Sequence, residues 1–222
     1  MPKLLTIFVV RSKDRPTSWF NKCLYSLQHD DIDVQVIEGT ATLPELLQLR
    51  LTLPALAKTK YMAFVDDDDW IAPEHIVPML NIMETGVWGG IYSNETLVSP
   101  TGRVLSSRDS IMTKFDPMIH HKRLIDTHHL TIVDSELARK AAEFIPKTSI
   151  FLEPLLYGFV GLMAPLVHYP HKAYFWRRPS VTASEEKRRI HSIATLNASK
   201  LYLTAITHGL NNRLSKVMAQ LP

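Results

Sequence analysis

Residues 64–70 read FVDDDDW: two apolar residues, four carboxylates in a row, then an aromatic ring. Adjacent carboxylates repel one another, and local folding does not ask for four together. An acidic turn after a strand suits a helix N-terminus, where one aspartate is enough. Four carboxylates also form the donor set of a hard divalent cation, Mg²⁺ or Mn²⁺, which takes one or two of them plus substrate phosphates. A second acid stands out further along. Glu153 lies in the apolar run IFLEPLLYGFVGLMAPLVHY, residues 150–169. An isolated carboxylate there is costly to bury, so a chemical role or a partner is expected. Opening a helix before Pro154 is the plainer alternative.

The elements around these residues follow from hydrophobic patterning. LLTIFVV (4–10) is a continuous, partly β-branched run, which fits a strand buried on both faces. Ser12 to Arg15 with Pro16 reads as a loop and helix start, and Trp19, Cys23, Leu24 and Leu27 recur at helical spacing. VQVI (34–37) is a second strand, ending at Glu38 and Gly39. A helix is predicted over 43–57, a third strand over 61–65 and a helix over 73–83. This β-α-β-α-β-α order implies a mostly parallel α/β sheet flanked by helices. Ligands of such sheets bind outside the carboxyl ends of the strands. Arg11, Glu38 and the aspartates all fall there. Further on, GGIYS (89–93) fits a strand, SPTG (99–102) a turn, and 134–144 a helix capped by Asp134 or Ser135.

Apolar residues make up 45% and charged residues 21% of the 222, a globular composition. The lone Cys23 excludes an internal disulfide and suits a reducing cytoplasm. The N-terminus lacks the pattern of a signal peptide. Residues 150–169 have the length of a membrane span, but Glu153 and two prolines favour a buried helix or strand pair. A peripheral membrane contact stays open. The net charge of +3 is uneven: from Pro170 on, nine Lys/Arg face two acids, which is +7 and leaves −4 before it. That basic quarter suits an anionic partner or a solvated helix face. Leu196, Leu203, Leu210 and Val217 recur every seven residues, a helical extension that packs on the domain or on a second subunit. The pairs His120-His121 and His128-His129 match no compact zinc spacing and read as surface or acceptor-side residues.

The ordered set of motifs resembles the GT-A fold glycosyltransferases, in particular the large inverting family 2. LLTIFVVRSKDRPTSWFNKCLYSL resembles the family's opening strand, loop and first helix. VQVIEGT stands where the family has an acidic residue touching the nucleobase. Arg50 falls at the arginine of "A-R-N", and the aspartates at its D-x-D element. WGGIYSNETLVSPTGRV resembles the stretch after the D-x-D helix. FLEPLLYGF stands at the "E-D" catalytic base, and AYFWRRPSVTAS at the closing "Y-x-R-x-H-x-x-S-x-S". The likeness covers roughly residues 4–184. It divides the chain into a catalytic domain, 1–184, and a basic extension, 185–222. Within the domain, 1–98 is the nucleotide-sugar half and 99–184 the acceptor half. Pro154, Pro179 and Leu51 depart from the pattern; with Pro179 in place of a metal-binding histidine, His168 or His171 is a substitute ligand.

The resemblance implies metal-dependent transfer of a sugar from a nucleoside diphosphate sugar, most often a UDP-sugar, to an acceptor hydroxyl with inversion. Alternate side chains of an extended segment share a side. Asp66 and Asp68 are thus the metal pair, Asp67 is a donor contact, and Asp69 has the least claim on the metal. Glu153 is the base, its pKa expected to rise on burial. Arg11, Arg50 and Arg177 are expected at the phosphates or base, and Glu38 at the nucleobase. The acceptor is a surface or lipid-linked glycan, or a hydroxymethylated base in DNA drawn to the basic tail. A metal-dependent phosphotransferase or nuclease using the aspartates is the rival reading, and an acidic metal-binding module with a dimerisation helix the non-catalytic one.

Overall fold

The computed structural model describes residues 2–39, 43–110, 112–127, 130–147, 152–178 and 185–208. Its strands are β1 (Leu5–Arg11), β2 (Ile32–Glu38), β3 (Tyr61–Asp66), β4 (Trp70–Ile71), β5 (Gly90–Val98), β6 (Val104–Arg108), β7 (Thr131–Asp134) and β8 (Leu166–Arg177). Its helices are α1 (Thr17–Ser26), α2 (Leu43–Thr52), α3 (Ile76–Thr85), α4 (Pro117–Lys122), α5 (Ser135–Ala142), α6 (Leu152–Met163) and α7 (Glu185–His208).

Leu5, Ile7 and Val9 of β1 lie in one core, and Phe8 and Val10 in another. β3 alternates in the same way, Tyr61, Ala63 and Val65 against Met62 and Phe64. The continuous apolar runs therefore mark strands covered on both faces, as their composition predicts. β2 and β3 flank β1 in parallel. β7 enters antiparallel between β3 and β5, and β5 continues parallel to β8. The sheet order is β2-β1-β3-β7-β5-β8-β4, with β6 on β5. β1, β2, β3, β5 and β8 run one way, so the sheet is parallel in its main strands and mixed through β4, β6 and β7. Shifts of register at Ser93–Glu95 of β5 curl it opposite β8.

Boundaries have local causes. The helix predicted over 43–57 ends as α2 at Thr52, and a 3₁₀ turn follows with Pro54 in its opening positions, because proline cannot donate to a continuing α-helix. Asp134 caps α5 by accepting from the amides of Glu136 and Leu137, both at 2.9 Å. Gly102 closes the 99–102 turn at φ +86°, a conformation that favours glycine, and its amide reaches the Ser99 carbonyl at 2.9 Å.

Within the apolar stretch, Leu152–Met163 folds as the buried helix α6, and β8 follows from Leu166. No described helix is long and apolar enough to cross a membrane. α7 lays Ala198, Leu201, Tyr202 and Ala205 into the core beside Tyr157 and Phe159 of α6. This is not the predicted heptad stripe: Leu196 is exposed, and Leu210 and Val217 lie outside the described residues. Gly158 permits the close approach of the helices. A β-carbon there would come within 2.9 Å of both the Tyr202 and His120 rings, and the Tyr202 hydroxyl donates to its carbonyl at 3.0 Å.

His120 corrects the sequence reading of a surface histidine. It is fully buried, bonded through Nε2 to the Pro154 carbonyl at 2.9 Å and through Nδ1 to the Thr127 hydroxyl at 3.3 Å. A ring that donates to one and accepts from the other is neutral, and burial lowers its pKa to about 4. The unfolded chain then binds the extra proton more readily, so this stabilisation is complete above pH ~6.5 and is lost as pH falls towards 4. Urea unfolding at pH 7 and pH 4.5 is expected to show a pH-linked loss smaller by about 2–3 kcal/mol in His120→Gln than in the unsubstituted protein.

Candidate active site

The alternation of β3 continues past its end and sorts the aspartates. Asp66 falls on the α6 side with Met62 and Phe64, while Asp67 falls on the side of the loop before α1. The Asp69 amide then closes a turn on the Asp66 carbonyl at 3.0 Å, and the chain returns as β4. Each of the four carboxylates meets a different set of donors.

Asp66 pairs with Arg50 of α2 through Nη2, and Nη1 of the same guanidinium pairs with Glu153. Burial opposes the charge on Arg50, but the two carboxylates outweigh it and hold its pKa above the usual range. Glu153 sits in the first turn of α6, where the helix dipole suits a carboxylate. It is buried as its neighbours predict, yet it is not isolated, because Arg50 is its partner. Arg50, expected at the phosphates or base, is a buried bridge between two acids.

Asp67 is 2% exposed. The Ser12 amide donates to its Oδ2 at 2.7 Å, and Arg15 Nε lies 3.3 Å from Oδ1. Burial pushes its pKa up, and Ser12 and Arg15 pull it back. Asp68 pairs with Nη1 of Arg15. Asp69 accepts from the Tyr174 hydroxyl at 2.7 Å and from the Arg177 amide at 2.6 Å. Burial and the charge of Asp66 push its pKa well up, against those two donors.

Arg177, expected at the donor, is anchored by the protein itself. It is 4% exposed, and its Nε donates to the Asp68 carbonyl at 2.7 Å and Nη1 to the Pro100 carbonyl at 2.5 Å. Its guanidinium lies between the rings of Trp19 and Trp70, 4.5 and 5.1 Å from their centroids. It ties the acidic loop to the 99–102 turn. Arg11 and Glu38 are register partners at the ends of β1 and β2. Arg11 lies over the Phe20 ring and Glu38 is exposed; neither forms an ion pair among the described residues. They share the sheet edge with the aspartates but not the Arg50 network.

Asp66, Asp68 and Asp69 each offer an oxygen, all within 4.8 Å of one another. Asp69 is buried with hydrogen bonds on both oxygens, whereas Asp66 and Asp68 are only partly buried, so Asp66 and Asp68 are the pair that could hold Mg²⁺ or Mn²⁺. His168 bonds the Asn94 side chain at 2.8 Å, and His171 stacks near His75 and Tyr169; neither joins this group. Pro179 and the pair His128-His129 lie outside the described residues. Sequence reasoning missed Ser12, Arg15 and Tyr174. The signal for Arg15 was its loop, which follows β1 at the carboxyl edge. Nothing in the sequence marked the Ser12 amide.

No family model matches the sequence, and no curated protein matches it. Solved structures do. Residues 1–349 of S. aureus TarS in complex with UDP align over 96% of this chain and 68% of that one, with TM-score 0.62 and 12% identity. The UDP-GlcNAc complex aligns over the same shares with TM-score 0.60 and 12% identity. The same TarS segment without a named ligand aligns over 96% and 77%, with TM-score 0.58 and 14% identity. TarS is a GT-A-type glycosyltransferase. The chain has a GT-A-like fold. Within this fold, the β3 end with Asp66 and the start of α6 with Glu153 come together through Arg50.

Removing Arg50 leaves the buried Glu153 and the partly buried Asp66 facing each other without a cation. Arg50→Met is expected to lower unfolding stability by about 3–5 kcal/mol. Adding Glu153→Gln to it should restore part of that loss in urea melts; equal stability of the two variants would contradict the bridge.

Proposed function

We propose that the protein transfers a sugar from a nucleoside diphosphate sugar, a UDP-sugar, to an acceptor hydroxyl with inversion. One observation carries the reading: a single guanidinium joins an aspartate at the ligand-binding edge of a GT-A-like sheet to a buried glutamate on the facing helix. The TarS complexes with UDP and UDP-GlcNAc support the donor class.

Asp66 and Asp68 would hold the divalent cation, which as a Lewis acid neutralises the diphosphate that leaves. Glu153 presents one oxygen to Arg50, and its other oxygen makes no hydrogen bond among the described residues. That oxygen takes the proton of the acceptor hydroxyl as it attacks the anomeric carbon. With Arg50 fixing the carboxylate, the base keeps one orientation through the step. Asp67, locked by Ser12, shapes the donor side of the loop. Arg11 and Glu38, at the outer strand ends, suit the phosphates and the nucleobase. The acceptor is a surface or lipid-linked glycan, or a hydroxymethylated DNA base held through the basic C-terminal quarter. The working location is the cytoplasm or its membrane surface. A second copy would meet the exposed α7 face around Leu196, since the opposite face packs on its own domain.

Thermal melts with UDP, GDP, CDP and TDP, each with and without Mn²⁺, test the donor. At a hundred times its dissociation constant a ligand adds about 2.7 kcal/mol, which at this chain length is a Tm rise of roughly 5–10 °C. UDP with Mn²⁺ is expected to give the largest rise, and no rise with any nucleotide would overturn the assignment. Glu153→Gln separates binding from chemistry: it should keep the UDP shift and lose turnover by about 10²–10⁴-fold.

A further inference from the structure

The four aspartates are compensated unequally. Asp66 is held by a buried arginine, which leaves a second acid uncompensated if it moves. Asp69 is held by a buried tyrosine hydroxyl and a strand amide. Asp67 keeps a main-chain donor, Ser12, whatever its other neighbour does. Asp68 is different. Among the described residues its carboxylate is partnered by Arg15 alone, and the Arg15 side chain is 37% exposed, on the loop between β1 and α1.

We propose that Arg15 is an exchangeable internal cation that occupies Asp68 until a divalent metal and a diphosphate arrive together. This rests on the sugar-transfer reading, and it adds an order of binding to it. A metal ion entering alone must displace Arg15 from Asp68 and leave a second positive charge beside itself, which disfavours it. When the diphosphate accompanies the metal, the displaced guanidinium gains a new partner, because the donors that Arg15 turns to two separate carboxylates can pair with phosphate oxygens. Charge is conserved: a dication and a diphosphate enter, and one arginine moves from carboxylate to phosphate. The other three aspartates stay locked, so the exchange costs the fold little. Arg15 thereby couples metal affinity to nucleotide occupancy, and by linkage the metal tightens the nucleotide by the same factor.

Mn²⁺ binding followed by the electron paramagnetic resonance signal of the free ion tests this without any turnover. Three proteins are compared, the unsubstituted chain, Arg15→Met and Arg15→Lys, each with and without UDP, with melts to confirm folding. In the absence of UDP, Arg15→Met is expected to bind Mn²⁺ about fivefold more tightly than the unsubstituted chain, the upper end of what a partly exposed ion pair contributes. Arg15→Lys should fall between them. UDP should tighten Mn²⁺ binding strongly in the unsubstituted chain and much less in Arg15→Met. Equal Mn²⁺ affinity of the unsubstituted chain and Arg15→Met without UDP would overturn the role of Arg15 and leave the transferase reading standing. Absence of Mn²⁺ binding in every protein, with UDP as well as without, would overturn the metal site and the exchange together.

Discussion

Negative charge crowded at the end of a buried strand must be answered from within the chain, and most of the site follows from how it is answered. Taking a carboxylate out of water costs several kcal/mol unless a cation or several donors replace the solvent. Here Arg50 answers for Asp66 and Glu153 at once. One side chain from α2 thereby fixes the distance between the end of β3 and the start of α6. Those two elements come from opposite ends of the domain, and the arginine makes their separation a property of the fold.

A second tie holds the same loop from β8. Arg177 and Tyr174 of β8 bind the backbone and the last carboxylate of the acidic loop, while Trp19 and Trp70 cover the guanidinium. Trp70 is itself stacked on Phe175 at 5.0 Å. The loop is thus clamped from α1, β4 and β8, although its own sequence has no rigid residue. Rigidity at such a loop is what a template for a charged ligand needs, since reorganisation during reaction is then small.

Much of this was legible in the residues. Buried strands announce themselves by continuous apolar runs, so β1 and β3 were read correctly, and with them the edge on which Arg11, Glu38 and Asp66 stand. Glu153 stood out because an acid in an apolar run needs a reason. Partners were harder to see. Arg50 lies sixteen positions from Asp66 and far from Glu153, and no spacing rule links three such residues. Arg177 looked like a ligand-binding arginine, but its donors meet carbonyls, which carry no identity in a sequence. The short strands β4, β6 and β7 escaped because pairing, not composition, defines them. His120 looked superficial because its burial depends on Tyr202 and Phe115, which reach it from other elements.

The placement of α7 has a consequence for how the molecule is made. A ribosome delivers β1, β2 and β3 first, and their parallel pairing is complete once residue 66 has emerged. The glutamate-bearing α6 follows, but its outer face stays bare until Ala198, Leu201, Tyr202 and Ala205 arrive to cover it. During that interval an almost wholly apolar helix is exposed on a nascent chain, the situation in which chaperones are most needed. The cover of α6 is thus made later than the helix it protects.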